Sequence, residues 1–283
     1  MEPKKPTSYK EQLRLIKDRG CIVENDSYAL GILADINYYR LGAYFLPFRA
    51  DGDKFLPGTS FDTIIKIYEF DRKLRNLLFA LMEGLETRLR TRIAYLHAHK
   101  YGPLGYLDVN NFNSAHKHTR FQAQLESIVD KNSKTPIVRH HNLKYAGKFP
   151  IWVMIELFTF GMLSTFYSDM LRGDQKEIAK SLFGRSDTEL KSWLYCLTFL
   201  RNACAHYSQL YYTQFLARPA GTILNHNLGN TLFDYILIAK ALCEGTSYWS
   251  DFLPEFLALM RSDGIYLEHM GFPCDWDDYF IPQ

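Results

Sequence analysis

Arg201 and His206 stand five positions apart in FLRNACAHYSQLYY, residues 199–212, inside a run that is otherwise largely apolar. These two residue types suit phosphate chemistry. A guanidinium presents a rigid, planar set of donors that matches phosphate oxygens, and an imidazole moves protons near neutral pH. On a helix starting at Ser186, Trp193, Leu197, Leu200 and Cys204 form one apolar stripe, and an advance of about 100° per residue puts Arg201 inside it. A charge on an apolar face is unfavourable unless an anion or a partner satisfies it. This leaves two readings. In one, Arg201 pairs with a carboxylate from another helix and His206 merely lies at the surface. In the other, His206 transfers protons and Arg201 steadies a phosphate. On a regular helix the two side chains diverge by about 140°, so one chain reaches a single phosphate with both only awkwardly. Two copies of the helix meeting across a two-fold axis would do so more readily.

Other residues compete for the same chemistry. Arg92 and His97 have the same spacing, with Ile93 rather than a polar residue after the arginine. Glu86 and Arg90 are four apart on one helical stretch, which fits either a surface ion pair or a support beside Arg201. His116, His118, His140 and His141 have metal-ligating side chains but no neighbouring Cys and few carboxylates, so no metal site is assigned. Gly102, Gly105 and Gly161 lack the context of a phosphate-cradling loop, and no cofactor is expected.

Charge is unevenly spread. The net charge is only +2, yet residues 114–148 hold Lys117, Arg120, Lys131, Lys134, Arg139, Lys144 and Lys148 against Glu126 and Asp130. Lys4, Lys5, Lys10 and Arg14 add a second basic group, while the stretch after Glu244 is acidic apart from Arg261. Such asymmetry suggests a polyanion partner on one surface, or else solvated charges that form no patch.

Behind these residues the 283-residue chain has ordinary globular composition, 47% hydrophobic and 23% charged. Its five cysteines are scattered without a C-x-x-C pair, which points to reduced thiols. No apolar leader or membrane-length segment is present, and a cytoplasmic location is expected. Helical periodicity dominates, so the fold class is all-α. Helices are expected over 8–19 and about 25–36, with 37–49 a short helix or a turn. Ala50–Ser60 is a Gly, Pro and Asp-rich break. It sets an expected boundary between an N-terminal helical subdomain, 1–57, and a main helical domain, 58–283, with a basic insertion at 114–148. A long helix runs over 61–100 on the stripe Ile67, Phe70, Leu74, Leu78, Leu81, Leu85 and Leu89. Further helices are expected over 149–170, 174–183 and 231–245. Another starts at the capping box Ser186-x-x-Glu189 and continues to about Phe215.

Arg201-Asn202-Ala203-Cys204-Ala205-His206 resembles the R-x4-H motif of HEPN-domain RNases. INYYRLGAYFLPFR (36–49), FDRKLRNLLFALMEGLETRLRTRIAYLHAHKYG (70–102), FTFGMLSTFY (158–167) and LRNACAHYSQLY (200–211) together resemble the Abi (abortive infection) family of the AbiD/AbiF type. Thr213 departs from the Asn expected after the aromatic pair. The resemblance implies a HEPN-like helical bundle, phage defence and metal-independent RNA cleavage in which the ribose 2′-hydroxyl is the nucleophile. It implies His206 as acid or base, Arg201 as the group facing the phosphorane, and Asn202 as an orienting or phosphate-holding residue. It also implies a small structured non-coding RNA as partner. A homodimer is expected, no DNA and no membrane. The alternative is a non-catalytic RNA-binding scaffold of a toxin–antitoxin-like ribonucleoprotein.

Overall fold

Ser8 accepts the Glu11 amide while the Glu11 carboxylate returns to Ser8, and this capping box starts α1, Tyr9–Asp18. The structure, a computed structural model, describes residues 5–281; Lys4 of the second basic group lies outside them. α2 (Asp26–Asp35) is capped by Asn25, and α3 (Tyr38–Phe45) by Asn37. The aromatic run is therefore a helix, followed by a 3-10 turn at Leu46–Phe48. Residues 49–60 form the expected break, tied down by bridges between Ile22 and Ser60 and between Arg49 and Phe55.

α4 (Phe61–Tyr101) has 41 residues and so runs about 60 Å. Every residue of its expected stripe is buried. α4 is the hub, touching most of the helices described below. α5 (His118–Lys131) and α6 (Pro136–Tyr145) make up the basic insertion. α7 (Ile151–Met154) and α8 (Phe160–Asp169) come next, then α9 (Arg172–Phe183) and α10 (Asp187–Ala205). A two-stranded hairpin, β1 (Thr222–Ile223) with β2 (His226–Asn227), leads to α11 (Leu232–Cys243) and α12 (Ser247–Met260). With twelve α-helices and one tiny sheet among the described residues, the fold is all-α. The buried apolar side chains form one cluster, from Leu13 to Phe280.

Two expected helices are shorter than their patterns. The run 149–170 breaks at Phe158, whose backbone is extended, and the Thr159 hydroxyl caps α8 by accepting the Met162 amide. The break persists because Arg90 of α4 donates to the freed carbonyls, Nε to Ile155 at 3.2 Å and Nη2 to Phe158 at 2.7 Å. Arg88 treats two other helix ends alike, donating to Leu242 and Leu182 at 3.2 and 3.1 Å. α12 packs closely on α4 at Gly84, where a Cβ would lie 2.6 Å from Tyr248 Cγ. The second correction concerns α10. It does not reach Phe215 but ends at Ala205, inside the Arg-x4-His motif.

Candidate functional site

α10 ends in a Schellman arrangement. His206 is the C-cap, its N–H bonding the Asn202 carbonyl at 2.9 Å. Tyr207 comes next, in the left-handed region, φ 57°. Its amide returns to Cys204, and the Ser208 amide to Ala203 at 2.8 Å. Glycine usually occupies that position, and a residue with a Cβ is strained there by about 1–2 kcal/mol. The strain is held by a clamp. Arg40 Nη2 of α3 donates to the Tyr207 carbonyl at 2.5 Å and its Nε to the Tyr68 hydroxyl at 3.3 Å. Arg75 Nη1 of α4 donates to the Ser208 carbonyl at 3.1 Å.

Asp71 completes the clamp. It is fully buried and accepts from Arg75 Nη1 and Tyr44 Oη at 2.6 Å each, and from the amides of Leu210 and Tyr211 at 3.0 and 3.1 Å. Burial raises its carboxyl above the ordinary range, and Arg75, Tyr44 and the two amides offset only part of that rise. Arg40, Tyr44, Tyr68, Asp71 and Arg75, five residues from α3 and α4, thus fix the chain that leaves His206. The site residues expected from the sequence include none of them, although Asp71-x3-Arg75 inside an apolar stripe was a signal: a buried i,i+4 pair needs a further partner.

Arg201 points the other way, toward α4. Its Nε lies 3.5 Å from Glu86 Oε2, and the other oxygen of Glu86 holds Arg90 Nη2. Glu86 is buried, so this is not a surface ion pair; one carboxylate serves two guanidinium groups, and the second already braces the α7–α8 break. Arg201 stacks over the half-exposed Phe79, 5.7 Å from the ring centre. Among the described residues it donates no hydrogen bond, and its buried Nε–H is orphaned. Phe79, Met82, Glu83, Glu86, Arg90 and Arg201 line a pocket of about 220 Å³.

The structure brings Glu86, Arg90 and Arg201 together and leaves His206 and Asn202 exposed at the helix end, with no side-chain hydrogen bond among the described residues. Asn202 meets His206 only through its backbone carbonyl. Burial pushes the Cys204 thiol up to about 12, so the motif's one thiol is no nucleophile at neutral pH. The competing pair separates: His97 is fully buried among Tyr101, Phe112 and Phe166, both ring nitrogens without a partner among the described residues, while Arg92 donates to Ser181 Oγ at 3.2 Å. Tyr207, Leu210 and Tyr211 stand where a two-fold pairing at the motif would draw its contact surface, and two of them are not available for it. Leu210 and Tyr211 are core residues, Tyr211 Oη donating to the Tyr266 carbonyl, and Tyr207 alone of the three is exposed.

Lys117, Arg120, Lys131, Lys134, Arg139, Lys144 and Lys148 are all exposed and make no ion pair among the described residues. Lys5, Lys10 and Arg14 are exposed on or before α1, with Arg14 3.8 Å from Asp18. No group of three or more His, Cys, Asp or Glu side chains is arranged around a metal position among the described residues. Nor is any described helix long and apolar enough to cross a membrane.

The elements define a class, an all-α protein whose long central helix carries the supports of an Arg-x4-His helix end. Residues 31–212 match the family model described as Abi-like protein, well over half of the chain. The chain belongs to that family, whose name points to abortive-infection defence. The matched span contains the clamp, the Glu86–Arg90 pair and the motif. No curated protein and no solved structure matches the chain.

Proposed function

We propose that this Abi-like protein is a HEPN-type endoribonuclease of anti-phage defence, with a site built on Arg201 and His206. The observation that carries this reading is the state of Arg201. Its guanidinium is held electrostatically by Glu86 and stacked on Phe79, yet among the described residues it donates no hydrogen bond, and its side chain lines a pocket. Nε is buried against Glu86, and the two Nη groups, which are not buried, are left to donate to the oxygens of an arriving phosphate.

In the reaction, the ribose 2′-oxygen bonds to phosphorus and the P–O5′ bond breaks, leaving a 2′,3′-cyclic phosphate and a 5′-hydroxyl. His206 takes the 2′ proton or returns one to the leaving oxygen. Arg201 meets the charge that grows on the phosphorane, and Asn202 holds a phosphate oxygen at the same exposed helix end. The divergence of Arg201 and His206 favours a homodimer in which each phosphate meets Arg201 of one chain and His206 of its partner.

Purified His206→Ala should keep its fold and lose RNA cleavage, and the native activity should persist in EDTA. Mixing Arg201→Ala with His206→Ala chains under exchange conditions should restore part of the cleavage. An active His206→Ala protein would remove the assignment, and an active species that is strictly monomeric would remove the composite site. A second reading, an RNA-binding scaffold, is favoured by the seven unpaired cations of α5, α6 and their flanks. Each phosphate contact releases counterions, so log affinity for duplex RNA should fall by about 0.9 per log unit of salt per contact. The scaffold reading would stand if His206→Ala kept both the RNA, including a small structured non-coding RNA, and the biological effect.

A further inference from the structure

Of the exposed cations around α5 and α6, Lys117 and Arg120 are set apart because they line a concave surface. Together with His116, Phe121, Thr165 and Asp169 they enclose a pocket of about 280 Å³ between α5 and α8. Neither Lys117 nor Arg120 has a hydrogen-bond or ion-pair partner among the described residues. Lys148 also lines a pocket, but there Glu126 and Asp130 share the wall.

The one carboxylate of the Lys117–Arg120 pocket is already engaged. His116 Nδ1 lies 2.8 Å from Asp169 Oδ2, and His116 Nε2 lies 3.2 Å from His118 Nδ1. With a carboxylate on one side, a neutral His116 donates from Nδ1 and accepts at Nε2, so His118 donates from its own Nδ1. This chain of bonds fixes the His116 ring, which stacks on Phe112 at 4.0 Å and is buried. Two cations therefore face an opening whose carboxylate points at an imidazole, beside an aromatic wall from Phe121 and Phe166.

We propose that this pocket binds one phosphate group of a nucleotide, held by Lys117 and Arg120 with its sugar or base against the aromatic wall. Arg supplies the planar donor fork and Lys a mobile point charge. The site deepens the RNA-binding reading, on which it rests, by naming the group recognised. It does not depend on cleavage at His206. The phosphate comes either from a strand or from a free mononucleotide.

The test monitors the His116 and His118 ring resonances by NMR in the full chain, assigned through His118→Gln. Inorganic phosphate and adenosine monophosphate should each shift them saturably, and adenosine should not. Lys117→Gln/Arg120→Gln should weaken both by at least ten-fold, with its thermal midpoint unchanged, while Lys131→Gln/Lys134→Gln should leave both intact. A short RNA strand is then titrated into His206→Ala, with and without the pocket substitutions. Loss of strand affinity assigns the phosphate to the strand; retained strand affinity beside lost mononucleotide binding assigns it to a free nucleotide. Absence of saturable shifts, or equal shifts in the pocket variant, would overturn the proposal even if cleavage at His206 is established. Loss of cleavage in His206→Ala leaves these titrations unaffected.

Discussion

Replacing Asp71 with Asn removes one charge and almost no volume, so its effect isolates the electrostatics of the clamp. Asp71 is fully buried and Arg75 is 2% exposed, and the Asp71 carboxylate accepts from Arg75, Tyr44, Leu210 and Tyr211. The variant leaves a buried guanidinium with no counter-charge and turns one acceptor oxygen into a donor facing other donors. Breaking a buried pair from one side is unfavourable by about 3–5 kcal/mol. That is a large share of the roughly 5–15 kcal/mol that holds a typical protein folded. With a urea slope of about 3 kcal/mol/M, the unfolding midpoint should fall by about 1–1.7 M. Adding Arg75→Gln removes the stranded charge, so the double variant should be more stable than the sum of the single effects predicts. A midpoint within about 0.3 M of the native value, or strict additivity, would refute the buried clamp. On the endoribonuclease reading proposed above, protein that remains folded should also cleave RNA less well, because Tyr207 and Ser208 lose part of their anchorage.

Glu86→Gln leaves Arg90 and Arg201 facing each other across a neutral group. It should lower stability by about 2–3 kcal/mol and cleavage by more than ten-fold, and unchanged cleavage would separate Glu86 from the site. His97 supplies a pH test. Burial drops its pKa from 6.5 to about 4, so the unfolded chain binds a proton over that interval and the folded chain does not. The stability it contributes is full above pH 6.5 and falls as pH drops toward 4, by up to about 3 kcal/mol. Urea midpoints at several pH values should show a shallower acid decline in His97→Phe than in the native chain, and parallel curves would refute the assignment.

The helices that carried their own signals were legible in the sequence. α4 announced itself through an apolar stripe held over about six turns, and α10 through the capping box at Ser186. The end of α10 had no such mark, because Tyr207 stands where glycine would have signalled the left-handed turn. The break before α8 was equally silent: Phe149–Met170 is apolar enough to read as one helix, and Arg90, which satisfies the freed carbonyls, lies more than sixty positions upstream. For the candidate site, Arg201 and His206 could be named from type and spacing. Glu86 could be placed beside Arg201, but its burial depends on packing between α4 and α10. Asp71 was marked only by its i,i+4 relation to Arg75, since its partner amides at Leu210 and Tyr211 are far away in the sequence.

α4 bears two acid-x3-Arg pairs, Asp71 with Arg75 and Glu86 with Arg90, and the first steadies the turn just beyond His206 while the second steadies Arg201. A rigid rod that carries both supports acts as a ruler. One residue inserted between Arg75 and Glu86 would turn one pair by about 100° and slide it about 1.5 Å relative to the other, and no loop in between could absorb the error. The loops that join α4, α5, α6 and α7 meet no such demand. Among Abi-like chains, length should therefore vary in those loops, while the eleven-residue step from Arg75 to Glu86 stays constant even where the intervening side chains change.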